Sequence, residues 1–261
     1  MMRALYSAAL GMYGQQLNVD TIANNLANVN TSGYKKERVE FQDLLYQTIK
    51  RPASGPDINV PVRMDVGLGV KPVAITSLFT QGNMQNTEIP TDVAIIGDAF
   101  FKVDVPGYDE PIFTRDGAIK IDATGQLVTA DGYKYTDMGA LPEGAHDIAI
   151  ARDGTVTYIE QGATEPTELG RLQLVKFINS AGLAKLGENL YQNTPNSGDP
   201  IDWDPTADAT VKLESGYLEM SNVRIAEEMV SLITAQRAYE INSKVIQASD
   251  EMLQTAANLR R

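Results

Sequence analysis

The sequence has no cysteine, one histidine and one tryptophan among 261 residues. Missing thiols exclude disulfides, thiolate metal sites and a cysteine nucleophile. They do not fix a compartment, although a chain that must travel unfolded through a channel is well served by their absence. There is no run of 18 apolar residues, so no transmembrane helix is expected. Positive charge is scarce: 22 Lys and Arg stand against 34 Asp and Glu, a net charge of −12. Binding to a phosphate backbone needs basic patches, so nucleic acid is not an expected partner.

Catalytic patterns are missing as well. His146 has Asp147 beside it but no third member of a triad, and reads as a surface or packing residue. No GxSxG elbow and no phosphate-binding GxxxxGK[ST] loop occurs. Gly67 and Gly69 form GLG without the third glycine of a dinucleotide fingerprint. Asp202, Asp204 and Asp208 look like the start of a calcium loop only superficially. The sixth position, which needs glycine, is Ala207, and the twelfth is Leu213 instead of glutamate. Asn30-Thr31-Ser32 is a formal glycosylation sequon and a weak signal. No carboxylate pair is singled out for glycoside hydrolysis. The expectation is a non-enzyme with no catalytic residue, metal or cofactor.

What is present is 43% hydrophobic residues, enough for a folded chain with a core. Leu5, Met12, Val19 and Leu26 recur every seven residues. Ala8, Gln15, Ile22 and Val29 lie three further on, completing an a/d pattern interrupted only by Gln15. Near the other end, Leu218, Ile225, Leu232, Tyr239, Ile246 and Leu253 also recur every seven, and Met229 widens that face. Ile241, Val245, Ala248, Met252 and Ala256 run beside it. Ser221 and Asn222 offer N-cap chemistry, and Glu227 and Glu228 suit a helix start. Two amphipathic terminal helices are therefore expected to pair, either as an ordinary hairpin or as an assembly element.

Charge favours assembly. Between Arg3 and Lys35 the only charged residue is Asp20. A solvated helix face usually carries Lys and Glu. Here Asn24, Asn25 and Asn28 fall off the a/d seam, and the outer face is polar yet neutral. Such a face suits burial against further protein, with amides bonding to neighbouring subunits. Gly11 and Gly14 weaken an isolated helix and permit close approach. Order in the ends is expected to come with assembly. Asn30 to Gly33 reads as the helix stop. Nearly all the acidity lies between residues 31 and 214, which is expected to face solvent.

The middle of the chain reads as β-structure. VAII (93–96), FFKVDV (100–105), AIKI (118–121), QLVT (126–129), TVTYI (155–159) and LQLVKFI (172–178) are strand-like. Asp116-Gly117, Thr124-Gly125, Asp131-Gly132 and Asp153-Gly154 are turn dipeptides. Pro/Gly-rich stretches at 50–72 and 193–208 mark candidate boundaries. The expected class is α+β. Residues 1–30 and 221–261 form a helical coiled-coil domain, 31–91 and 188–220 connect, and 92–187 form a mostly antiparallel β domain.

The stretch ANNLANVNTSGYK (Ala23–Lys35) resembles the signature of flagellar basal-body rod and hook proteins. LESGYLEMSNVRIAEEMVSLITAQRAYEINSKVIQASDEML (Leu213–Leu253) resembles that family's C-terminal motif. FTRDGAIKIDATGQLVTADGYKY (Phe113–Tyr135) and GENLY (Gly187–Tyr191) are similar to its internal patterns. Length, FQDLLYQTI (Phe41–Ile49) and VGLGVKPVAI (Val66–Ile75) are most similar to distal-rod members, whereas KRPASGPDINVPVRMD matches less closely. The resemblance implies a structural subunit that polymerises helically into a hollow drive shaft, carrying torque from motor to hook. The terminal helices would line its channel, with Leu5, Met12, Val19, Ile22, Asn24, Asn25, Leu26, Asn28 and Val29 at subunit interfaces. Leu218, Ile225, Met229, Leu232, Tyr239, Ile246 and Leu253 would join them.

Implied partners are further copies of the chain, proximal-rod and hook proteins, the surrounding ring proteins and the flagellar type III export apparatus. The implied location is the basal body from periplasm to outer membrane. The helical pattern continues past any plausible cleavage site in MMRALYSAALGMYG, so export without a cleaved signal is expected. Alternatives are another axial protein, proximal rod or hook, and more remotely a secreted carbohydrate-active or binding domain.

Overall fold

The computed structural model describes residues 2–50, 53–54, 59–60, 62–108, 110–142, 144–160, 165–206, 208 and 210–258. The chain forms two compact units. One, the helical unit, comprises residues 1–27, 37–76 and 224–261, and the other, the β unit, comprises 28–36 and 77–223. The class is α+β, with a helix at each end and a mostly antiparallel centre.

In the helical unit, α1 (Met2–Ala27) packs on α2 (Ile225–Asn258). The 34 residues of α2 make a rod of about 51 Å at 1.5 Å per residue. α1 stops two residues short of Val29, the last position of its heptad pattern. The turn begins at Asn28, whose carbonyl accepts from the Thr31 N–H at 3.2 Å, and Gly33 then takes a φ of 68°. That left-handed backbone favours glycine and fits the expected helix stop.

The seam between the helices is narrower and more polar than the apolar stripes suggest. On α2 its deepest positions are Glu228, Ala235 and Ser249, with Leu232, Asn242, Ile246 and Leu253 half-buried. A Cβ placed on Gly11 would lie 2.9 Å from Asn242 Nδ2, so the glycine admits that amide. Ile225, Met229, Tyr239, Ile241, Val245 and Met252 are instead exposed. Leu218 lies on a strand, Tyr217–Glu219, and not on the helix. Small and polar side chains occupy the deepest positions of the seam, and several of the larger apolar ones are left exposed.

Residues 37–76 are not a plain connector. Glu37–Asp43 pairs with Val70–Ser77. Tyr46–Lys50 pairs antiparallel with Met64–Gly67, from Tyr46 opposite Gly67 to Lys50 opposite Met64. Ala53–Ser54 opposite Asn59–Val60 continues the ribbon. Gly14 of α1 sits against the Phe41 ring, where a Cβ would lie 3.0 Å from Cε1.

The β unit is built on a nine-stranded sheet. Its centre is Phe100–Asp104, flanked by Ile112–Thr114, Lys134–Tyr135 and Leu174–Lys176, all antiparallel to it. A three-stranded sheet, His146–Ile150, Thr155–Ile159 and Thr167–Arg171, stands apart. Side chains alternate between two cores. Phe101, Val103, Ile112 and Leu174 enter the larger one with Ile95, Leu127 and Leu213. Phe100, Phe113, Val175 and Phe177 enter an aromatic one with Tyr191. Phe113 and Phe177 meet edge-to-face, 4.9 Å between centroids.

Gly125, Gly132 and Gly154 adopt the positive φ that their turns require. Gly117 is different. Its φ is ordinary, but a Cβ there would lie 1.7 Å from the Val93 carbonyl oxygen. Val93 N–H donates to Gly117 O at 3.0 Å, and the two backbones touch. Gly117→Ala is therefore expected to lower the unfolding free energy by about 1–3 kcal/mol through overpacking. Urea denaturation followed by circular dichroism measures this. An unchanged midpoint contradicts it.

Candidate functional site

In α1, Leu5, Met12, Val19 and Leu26 are half-buried, Ile22 is buried and Asn24 is exposed. The three asparagines do different work. Asn25 is completely buried. Its Oδ1 accepts from Glu37 N–H at 2.8 Å, and its Nδ2 donates to Glu37 O at 2.8 Å and Glu228 Oε2 at 3.3 Å. One amide thus satisfies both backbone groups of the first residue of strand Glu37–Asp43 and touches α2. Asn24 Nδ2 donates to Glu37 Oε2 at 3.4 Å. In the β unit, Asn28 Oδ1 accepts from Thr31 Oγ1 at 3.2 Å, and Val29 is half-buried. Asn25 spends its amide inside the chain. Asn25→Ala is expected to cost about 1–3 kcal/mol of monomer stability, because Glu37 loses two partners. Thermal unfolding of the wild-type and variant proteins checks this.

α2 carries the opposite feature. Ile225, Met229, Val230, Ile233, Tyr239, Ile241, Val245 and Met252 are between 41% and 62% exposed. A surface helix normally turns polar residues outward. This one carries these apolar side chains outward among its charged residues, as an element made for a second partner would.

The β unit holds a polar centre that periodicity did not reveal. Lys35, Arg115 and Glu219 are buried together. Lys35 Nζ donates to Glu219 Oε1 at 2.7 Å and to Thr80 O at 2.8 Å. Arg115 Nε donates to Glu219 Oε2 at 2.8 Å, and Nη2 donates to Gly97 O at 2.7 Å. Gly82 N–H also donates to Glu219 Oε1 at 2.8 Å. One carboxylate therefore serves two cations from distant parts of the chain. Each of the three lies in a motif singled out above: SGYK, FTRDG and YLEMSN.

Asn222 belongs to the same centre. Its Oδ1 accepts from Lys36 N–H at 2.7 Å, and its Nδ2 donates to Leu78 O at 2.8 Å and Thr80 Oγ1 at 2.8 Å. It is a clip between three loop segments and not the N-cap that its position before α2 suggests. Ser221 does turn back locally, accepting from Val223 N–H at 3.3 Å.

Burial lowers the Lys35 ammonium to about 8, and Arg115 adds to this while Glu219 opposes it. Burial pushes Glu219 up, but Arg115 and Lys35 outweigh it and hold the carboxyl below its ordinary value. The two shifts have opposite consequences. Between pH 8 and 10.5 the unfolded chain keeps a proton on Lys35 that the folded chain has released, so this residue's contribution to stability rises with pH. Glu219's contribution is present above pH 4.5 and is lost as pH falls through its lower folded value. Urea denaturation across pH 8 to 10.5 is expected to show a rising component in wild type that Lys35→Met lacks. Parallel curves for the two proteins contradict it.

Among the described residues, no three His, Asp or Glu side chains converge to hold a metal ion. Asp204 Oδ1 accepts from Thr206 N–H at 2.9 Å, and Asp208 pairs with Lys176 and Thr210. His146 opens strand His146–Ile150.

Comparison with known proteins matches three stretches. Residues 5–35 match "Flagella basal body rod protein", residues 94–158 match "Flagellar hook protein FlgE/F/G D1 domain", and residues 214–259 match "Flagellar basal body rod FlgEFG protein C-terminal". The chain is 50% identical to the flagellar basal-body rod protein FlgG of Borreliella burgdorferi, over 100% of both chains. It is 40% identical to FlgG of Bacillus subtilis, again over 100% of both. The flagellar basal-body rod protein FlgF of Caulobacter vibrioides is 34% identical over 97% of this chain and 96% of its own. The chain belongs to the flagellar basal-body rod protein family, a family of structural subunits.

Proposed function

We propose that the chain is the distal-rod subunit, which polymerises helically into the hollow shaft that transmits torque from motor to hook. The exposed apolar residues of α2 carry this reading, because a helix already packed on one side that still turns eight large apolar side chains to solvent calls for a second partner. One side is taken by α1 of the same chain, and a neighbouring copy covers the other. Interface positions among the residues named from the sequence are then Ile225, Met229 and Tyr239 on α2, with Asn24 on α1. Leu5, Met12, Val19, Ile22, Leu26, Leu232, Ile246 and Leu253 support them from the intrachain side. Asn28, Val29 and Leu218 lie in the β unit and contribute through it.

At its two ends the polymer meets proximal-rod and hook proteins, and around it the ring proteins. The chain reaches that place through the flagellar type III export apparatus, and the rod runs from periplasm to outer membrane. The ribbon at 46–66 favours distal rod over hook, acting as a brace between neighbours. Electron microscopy of the purified chain tests the reading directly: filaments are expected from the full chain and none after deletion of residues 2–27. That deletion spares residues 28–36, which belong to the β unit. Rods formed by the truncated chain would refute the terminal-helix account. Rods of unchanged stiffness after shortening 46–66 would favour the hook or proximal-rod reading.

A further inference from the structure

We infer that the β unit is a late-closing domain. Its larger core, which takes in Val211 and Leu213, closes only when residues 211–222 are in place. This goes beyond the assembly reading and does not depend on it, since it concerns one chain.

Three observations carry it. The strand Val93–Ile96 has Val93, Ala94 and Ile95 each 1% exposed. Its ladder partner is Lys212–Ser215, in register from Val93 opposite Ser215 to Ile96 opposite Lys212. Val93 N–H is met early by Gly117 O and Ile95 O by Gln81 Nε2, but among the described strands its one ladder partner lies more than a hundred positions later. Val211 and Leu213, each 1% exposed, then enter the same core as Val156 and Leu172.

The second observation is electrostatic. Lys35 and Arg115 are cations whose burial depends on Glu219, which lies 184 and 104 positions downstream. Before Glu219 arrives, closing the site would bury two like charges without a counter-ion, a strongly unfavourable step. Until then the cations hold the site open to water.

The third is the fastening of residues 28–36. Gly33 N–H donates to Glu219 O at 2.8 Å, and Lys36 N–H donates to Asn222. Ser32 Oγ donates to Asp116 at 2.8 Å, and Leu78 N–H donates to Lys36 O at 2.8 Å. The earliest segment of the unit is thus tied in large part to the latest. By contrast, Lys120–Ile121 with Leu127–Val128, and His146–Ile150 with Thr155–Ile159, pair locally. Local hairpins form without delay but do not make the core, because loop closure over long separations comes last.

Pulsed hydrogen exchange during refolding of the full-length chain tests this. The amides of 93–96 and 100–104 are expected to gain protection in the same phase as those of 212–215. Leu213→Val is expected to slow that phase about three- to tenfold, leaving the unfolding rate nearly unchanged. Protection of 93–104 in a phase before 212–215 would overturn the inference. So would a Leu213→Val effect confined to unfolding. The wild-type measurement stands by itself should the variant fail to fold.

Discussion

Glu219→Ala is expected to destabilise the β unit by about 3–5 kcal/mol, the range for removing one partner of a buried ion pair. The expectation rests on what remains behind. Lys35 and Arg115, both buried, lose the carboxylate that each meets at under 3 Å. Gly82 N–H loses its acceptor at the same time. With typical domain stabilities of about 5–15 kcal/mol, that loss removes a large fraction of the total. The double replacement Lys35→Met with Glu219→Gln is expected to recover part of it, because one buried cation is gone and the remaining amide still accepts from Arg115. Urea unfolding of the single and double variants decides the matter. A Glu219→Ala loss below about 1 kcal/mol would mean that the centre is solvated in the folded state.

The terminal helices and the strand-rich middle were legible because each rests on a repeating pattern. A heptad repeat shows from Leu5 onward and again from Ile225. Alternation and turn dipeptides show at 93–159. What periodicity could not show is which side of a helix is used, and by whom. Apolar residues lie on several sides of α2 between its charged ones, so sequence alone could not separate the side facing α1 from the side facing outward. The deepest seam positions proved to be Ala235 and Ser249, which are small, and Glu228, which accepts from Asn25, and none of them is a large apolar residue. Residues 46–66 were opaque for a different reason. Their strands carry exposed residues on both faces, Tyr46, Ile49 and Met64 among them, so no core-facing alternation marks them.

The charged centre was opaque because a buried Lys, Arg or Glu carries no period. Its members are 104 to 184 positions apart and meet only through the fold. The heptad placed Asn25 off the apolar seam with its amide bonding to neighbouring subunits, but it is fully buried and its amide spans from α1 to Glu37 and Glu228 within one chain. The motif NNLANVNTSGYK therefore combines two tasks. Asn25 fixes a strand of the helical unit, and Lys35 supplies a buried charge to the β unit.

The second large effect concerns assembly. Val230→Lys together with Ile241→Lys is expected to leave the monomer's unfolding free energy within about 0.5 kcal/mol of wild type, as surface substitutions usually do. Val230 and Ile241 are 62% and 60% exposed, so each lies mostly outside the chain's own packing. In a polymer the same two positions are covered, and each lysine then brings an unpaired charge out of water, worth several kcal/mol per contact. A rod repeats that penalty at every subunit, so assembly should be lost altogether. Electron microscopy for rods and a swimming assay for motility read the polymer, and circular dichroism reads the monomer. Normal rods built from the doubly charged chain would show that this face of α2 stays in solvent, and would remove the observation on which the assembly reading rests. A variant that neither folds nor assembles would instead place Val230 and Ile241 inside the monomer's own packing, against the exposure seen here.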